Sequence, residues 1–299
     1  MLRTGTYSIV ARDPETGELG AAVQSHWFAV GAAVPWVVPG VGVVNTQSII
    51  EPSYGPLALE RLEGGERAAA ALDALVAADE RSEVRQVAVV DAHGNVATHT
   101  GERCIEYAGH EAGHQFSAQA NMMASPEVWP AMAHAFEAAT GSLARRLVAA
   151  LHAAEARGGD VRGRQSAALV VAPAEGERWR RSVDLRVDDT AEPLAELDRL
   201  LDLSDAYALA SEGDDLVGEG RHDEAGERYR TAAELAPGNH ELLFWSGLAA
   251  VEAGDAPAGL ELVREAIRLQ PGWRDLLDRL EPDIAPSAAQ VRDALRASR

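Results

Sequence analysis

Cysteine is nearly absent: the 299-residue chain has one, Cys104. A lone thiol closes no internal disulfide, so no disulfide framework holds this fold, and a reducing compartment suits it. Long apolar runs are missing too. No stretch reaches the length that crosses a bilayer, and the opening MLRTGTYSIV lacks the apolar run of a secretory signal. A cytoplasmic location with no membrane partner is therefore expected. Basic residues are scarce, with 27 Lys and Arg against 47 Asp and Glu and a net charge of −20. That balance argues against nucleic acid and anionic surfaces as partners. What the chain does have is an ordinary apolar share, 46%, ample for a core in one or two domains.

The chain is organised around residues 6–26, TYSIVARDPETGELGAAVQSH. Residues 6–12 and 19–25 read as two strands rich in residues that fit a pleated surface. Asp13-Pro14-Glu15-Thr16-Gly17 is the turn, with Pro presetting φ and Gly supplying φ > 0. A hairpin that opens on a hydroxyl after Gly5 is one way to place a threonine at a sheet end. Freed by cleavage after Gly5, Thr6 would carry a nucleophilic hydroxyl and its own amine as base.

Residues 28–44 mix small and branched residues with Gly and Pro, which predicts buried strands joined by tight turns. Asn45-Thr46-Gln47-Ser48 then clusters polar side chains at a strand end, a common way to line a site. Residues 56–78 have helical periodicity split by Gly64-Gly65. Residues 84–90 and 96–100 pair as strands, and 104–119 read as irregular. Ser125-Pro126 predicts a helix start with Ser125 as cap. A second helix, 143–156, ends at Gly158-Gly159. Residues 166–172 and 182–187 are the last strands. Strands and helices come in groups, which suits an α+β domain of face-to-face sheets with helices outside.

Composition shifts near Asp188-Asp189 to a helix-forming, acidic region. There Gly213 and Gly247, Gly220 and Gly254, Ala232 and Ala266, and Pro237-Gly238 and Pro271-Gly272 recur at an offset of 34. That is the period of tetratricopeptide repeats, which the region resembles. The expected division is residues 1–189 and an all-α domain 190–299. Its helices would offer a groove for a peptide or protein partner, or a surface for a second copy of the chain; Tyr207, Trp245 and Trp273 are candidate anchors.

Among other polar residues, Ser25 and His26 end the second hairpin arm. Neighbours in a strand face opposite ways, so they are no simple nucleophile–base pair, but Ser25 can stand beside Thr6 because hairpin ends adjoin. Residues 158–166 carry Asp160, Arg162, Arg164, Gln165 and Ser166 between a helix stop and an apolar strand. An Arg fork there can hold a carboxylate or phosphate, and Asp can orient it. His110-Glu111-Ala112-Gly113-His114 spells the H-E-x-x-H zinc motif, which works only on a helix; Gly109 and Gly113 argue against one. Cys104 reads as a buried, inert thiol.

Three segments carry a family resemblance: residues 6–36, residues 86–94 (QVAVVDAHG) and residues 158–169 (GGDVRGRQSAAL). Over roughly residues 6–187 the chain resembles the domain-of-unknown-function family 1028. The resemblance implies a four-layer αββα sandwich of the N-terminal-nucleophile hydrolase superfamily. It implies Thr6 as catalytic, with Ser25 and Asn121 beside it. His26, Gln47, Ser48, Asp160, Arg164, Gln165 and Ser166 become the substrate-binding candidates, Arg164 holding an anionic group. Hydrolysis of a small or peptide-like amide follows, needing no metal and no cofactor. The family usually shows Gln-Gly-Asn where this chain has Gln119-Ala120-Asn121, which narrows backbone freedom at that point. Some relatives carry a C-terminal peptidoglycan-binding region, so the alternative is a non-catalytic module for a cell-wall fragment or protein partner. The hydrolase reading expects Thr6 at an open cleft, on the same lip as residues 160–166.

Overall fold

The hairpin forms as its residues dictate: β1, Thr6–Arg12, pairs antiparallel with β2, Leu19–Ser25, and Thr6 stands opposite Ser25. Asp13 Oδ1 accepts the N–H groups of Glu15 at 2.8 Å and Thr16 at 3.0 Å, and Gly17 has φ +75°. The computed structural model describes residues 5–297, at 222 and 223 the backbone alone.

After the hairpin come β3 (Pro35–Val38), β4 (Gly42–Ser48), α1 (Tyr54–Glu63), α2 (Ala68–Ala78), β5 (Arg85–Asp91), β6 (Val96–Thr100), β7 (Gly109–Gly113), β8 (Phe116–Asn121), α3 (Val128–Ala138), α4 (Leu143–Ala156), β9 (Ser166–Ala172) and β10 (Val183–Val187). Six strands form one sheet in the order β10-β9-β2-β1-β8-β7, and four form another, β3-β4-β5-β6. Every neighbouring pair is antiparallel. The sheets face each other, with Val10, Leu19 and Val170 meeting Val37, Val43 and Val90 between them. Helices α1 and α2 cover the four-stranded sheet through Tyr54, Leu59, Leu62 and Leu72, while α3 and α4 cover the six-stranded one. Gly20 of β2 lets α4 approach: a β-carbon there would lie 2.7 Å from Leu147 Cδ1.

Two local expectations change. Residues 104–119 are not wholly irregular, since they contain β7 and the start of β8. Their strand signal is masked by small residues, and Gly109 and Gly113 exist to let rings cross the strand. A β-carbon on Gly109 would lie 2.5 Å from the Trp129 ring, and one on Gly113 2.1 Å from Phe116. Ser125 does not cap a helix directly: α3 begins at Val128, and Ser125 Oγ accepts the Glu127 N–H at 3.3 Å.

The chain divides into two compact units, Met1–Asp198 and Arg199–Arg299. The division falls inside α5, Pro193–Gly218, past the composition shift near Asp189. The second unit continues with α6 (His222–Leu235), α7 (His240–Glu252), α8 (Ala256–Leu269), α9 (Gly272–Leu277) and α10 (Ala288–Ala297). Its core gathers Phe244, Leu248, Val263, Leu277 and Val291. The 34-residue offset has a structural counterpart. Gly213 of α5 abuts the Tyr229 ring of α6, and Gly247 of α7 abuts Val263 of α8. Gly220 and Gly254 both take positive φ, +76° and +97°, after a helix. The Pro-Gly pairs differ: Gly238 has φ +77°, whereas Gly272 opens α9. Among the described residues no helix is long and apolar enough to cross a membrane.

Candidate functional site

The space between the sheets changes character along the strands. One end holds the valines and Leu19; at the other, the same faces carry Thr6, Ser8, Ser25, Asn45, Gln47, Gln86, Gln119 and Asn121, all buried. The strand period places them: Thr6 and Ser8, Asn45 and Gln47, Gln119 and Asn121 are each two apart.

These groups largely satisfy one another. Gln86 Oε1 accepts from Gln47 Nε2 at 2.8 Å and Asn121 Nδ2 at 3.0 Å, and Gln86 Nε2 donates to the Ala120 carbonyl at 2.9 Å. Ser8 Oγ donates to Gln47 Oε1 at 2.6 Å and accepts from Gln119 Nε2 at 2.7 Å. The two sheets are thus joined by hydrogen bonds whose loss would strand buried donors, at about 1–3 kcal/mol each. Asn45 Oδ1 and Asn121 Oδ1 have no partner among the described residues.

Thr6 stands at the edge of this network. Its hydroxyl donates to Ser25 Oγ at 3.1 Å, and Ser25 Oγ donates in turn to the Gly5 carbonyl. Arg162 Nη2 donates to the same carbonyl at 2.8 Å. Gln47 Nε2 donates to the Thr6 carbonyl at 3.2 Å. Asp160 grips Arg162 with both oxygens, Oδ1 accepting from Nε at 3.1 Å and Oδ2 from Nη2 at 2.7 Å, and Oδ2 also accepts the His26 N–H at 3.1 Å. The Asp160 carboxylate is fully buried; a bidentate partner and further N–H donors are what such a charge requires. A β-carbon on Gly5 would come within 2.8 Å of Arg162 Nη2 and 2.9 Å of Asp160 Oδ2. Only glycine lets the chain pass this pair.

The structure therefore brings together Thr6, Ser25, Gln47, Asn121 and Asp160. His26 sits half-buried on the rim, its Nδ1 3.3 Å from the Arg164 carbonyl. Ser166 lies opposite Ser25 in the ladder but serves the adjacent loop: its hydroxyl donates to the Trp27 carbonyl and accepts the Val30 N–H at 3.1 Å. Three candidates are not brought to Thr6. Ser48 falls on the other face of β4 from Gln47, beside Cys104. Arg164 is exposed and pairs with Glu192 and, at 3.4 Å, with Glu155. Gln165 donates to Asp189 Oδ1 at 3.1 Å. Thr6 itself is fully buried, against the expected open cleft. Of the leader before it, Gly5 is described and residues 1–4 lie outside the described residues.

Arg162, Ser8 and Gln86 are the members that site reasoning missed. Polar residues two apart in otherwise apolar strands were the available signal for the last two. Behind β1, Tyr7 donates to Glu155 Oε2 at 2.7 Å; burial and then the Glu155 charge push its pKa well up, so it remains a donor. The zinc motif lies on no helix: His110 is on strand β7, which ends at Gly113, and His114 is in the turn that follows. His110 Nδ1 is instead 2.9 Å from Thr100 Oγ1, and burial lowers its pKa. Burial raises the Cys104 pKa, which keeps the thiol protonated and unreactive.

Comparison with known proteins places this site in a family. Among curated proteins nothing matches the chain. A crystal structure of a protein from Silicibacter pomeroyi, itself carrying the family model DUF1028, matches with a TM-score of 0.61 and 31% identity over 66% of this chain and 88% of that one. The model described as "Family of unknown function (DUF1028)" matches residues 6–197, which contain every residue of the network above except Gly5. The chain belongs to that family.

Proposed function

We propose that the first unit is an αββα sandwich of the N-terminal-nucleophile hydrolase kind and that it hydrolyses an amide bond in a small or peptide-like substrate through Thr6. The carrying observation is the Gly5 carbonyl, which accepts from both the Ser25 hydroxyl and the Arg162 guanidinium while the Thr6 hydroxyl bonds to the same Ser25. Donors aimed at a carbonyl oxygen stabilise the negative charge that develops there on attack.

The chain's first substrate is its own Gly5–Thr6 bond. Thr6 Oγ1 adds to the Gly5 carbonyl carbon, and the charge falls on the oxygen held by Arg162 and Ser25. Collapse breaks the Gly5–Thr6 amide; the Thr6 nitrogen takes the proton and leaves as a free amine, with Gly5 now an ester on Oγ1. Water hydrolyses that ester, releasing a Gly5 carboxylate and restoring the hydroxyl. Removal of Gly5 opens the buried threonine, frees Ser25 and Arg162 for a substrate carbonyl and leaves the amine as base. Asn121 is no oxyanion donor here, because its Nδ2 is committed to Gln86; its unpartnered Oδ1 is an acceptor suited to the new amine.

Acylation tests the mechanism. A β-lactone, which traps nucleophilic hydroxyls, should add one equivalent to Thr6 of the shortened chain, located by peptide mass. Label spread over surface groups, or the same label on Thr6→Ala, contradicts it. The second reading, a non-catalytic binding module, is favoured by one observation: Thr6 is sealed in the uncut chain. It predicts a chain that never shortens. We assign the helical unit as two tetratricopeptide-like repeats with a protein or peptide partner, supported by the matched Gly213–Gly247 and Gly220–Gly254 geometry. The single cysteine supports a cytoplasmic setting.

A further inference from the structure

The loop joining β9 to β10 and β10 itself gather positive charge in a chain of net charge −20: Arg178, Arg180 and Arg181 of the loop and Arg186 of β10 fall within nine positions. Three of them, Arg178, Arg181 and Arg186, line a cavity of about 350 Å³ together with Trp36, Leu59 and Asp184. The cavity lies by the edge strands β3 and β10 and includes no member of the Thr6 network.

Arg181 is aimed without being neutralised. Its Nη2 donates to the Val37 carbonyl at 2.6 Å, and its Nη1 donates to the carbonyls of Arg180 at 2.7 Å and Arg178 at 3.1 Å. Carbonyls are neutral dipoles, so they fix the guanidinium and leave its charge uncompensated. The two flanking arginines have carboxylate partners, Arg178 with Glu63 and Arg186 with Asp184 at 3.2 Å, but both pairs are well exposed. Exposed pairs contribute little and exchange partners easily. Three cations thus face two carboxylates. Burial pulls the Arg181 pKa down, Asp184 counters it, and Arg178 and Arg186 pull it down further; an anion in the cavity would relieve that crowding. Trp36 and Leu59 add an apolar wall beside the charge.

We propose that this cavity binds a small amphiphilic oxyanion: a carboxylate or phosphate head on the arginine forks, with an apolar body against Trp36 and Leu59. Fork recognition of such heads is the particular property of arginine, and a positive cleft in an acidic protein draws anions to itself. The site stands independently of Thr6. Titration calorimetry on the full chain with benzoate, phenyl phosphate and inorganic phosphate tests it. Benzoate or phenyl phosphate should bind at one per chain, and inorganic phosphate roughly tenfold or more weaker for want of an apolar body. Arg186→Gln, an exposed position whose variant should melt as the parent does, should weaken binding roughly tenfold, and Asp184→Asn should tighten it several-fold. Arg157→Gln, on a different surface, should change nothing. Absence of saturable binding, equal affinity for inorganic and phenyl phosphate, or binding indifferent to both Arg186→Gln and Asp184→Asn would each overturn the proposal.

Discussion

Arg162 reaches the Gly5 carbonyl because Asp160 grips its fork and Gly5 has no side chain to block it. If that contact stabilises the developing oxyanion, Arg162→Gln should slow cleavage at Gly5–Thr6 roughly a hundredfold, the usual loss for one such donor. The rate is read from the mass of timed samples; Arg162→Lys should recover part of it, and an unchanged rate in a well-folded Arg162→Gln would remove Arg162 from the mechanism. Thr6, Ser25 and Gln47 were legible from sequence because polar side chains at the ends of apolar strands have few other reasons to be there; Asn121 came from the family resemblance alone. The choice between Arg162 and Arg164 was not. Gly163 between them has φ +102°, so the alternation that sorts residues in a strand fails in this loop. Asp91 offers a second test. Burial raises its pKa, but hydrogen bonds from Asn95, Ala68 and His93 outweigh that and hold the carboxyl below its ordinary 3.8. A folded-state pKa below the unfolded one contributes stability above about pH 4 that is lost as pH falls further. Asp91→Asn should therefore cost about 1–3 kcal/mol at pH 7. Its melting temperature should also fall less steeply than the parent's below pH 4, and parallel curves would contradict this.

Whole elements were mostly readable where one strong signal acted alone. The opening hairpin followed from Asp13-Pro14 and Gly17, and the α1–α2 break followed from Gly64-Gly65. Strands β7 and β8 were not, because Gly109 and Gly113 read as breakers when their role is to seat the rings of Trp129 and Phe116. The same glycine ambiguity yields a prediction in the helical unit. Gly247 and Gly226 both sit within helices, and alanine should stabilise each by up to about 1 kcal/mol on propensity alone. At Gly226 a β-carbon meets nothing within 4 Å, whereas at Gly247 it would lie 2.7 Å from Val263 Cγ2 and 2.8 Å from the Gly259 carbonyl. Gly226→Ala should raise the melting temperature. Gly247→Ala should lower it, since overpacking costs about 1–3 kcal/mol; shifts of the same sign would show that α7 and α8 are not closely packed.

At the scale of the molecule, a family-defined α+β unit and a repeated helical unit share one chain, and the proposed chemistry rests in the first. Its polar end is assembled from both sheets: Gln47 and Gln86 from the four-stranded sheet, Thr6, Ser25 and Asn121 from the six-stranded one. No single segment reveals that convergence, which is why the family segments were visible in sequence and the Gln86 hub was not. Thr6 is buried while Gly5 is in place, so the proposed hydrolysis depends on the breaking of one peptide bond. Intact mass of the full-length protein, followed during incubation at neutral pH beside Thr6→Ala and Thr6→Ser, tests this most directly. Cleavage by Thr6 predicts loss of residues 1–5 in the parent and in Thr6→Ser, and none in Thr6→Ala. A parent that keeps Gly5, or a Thr6→Ala chain that loses it at the same rate, would contradict it.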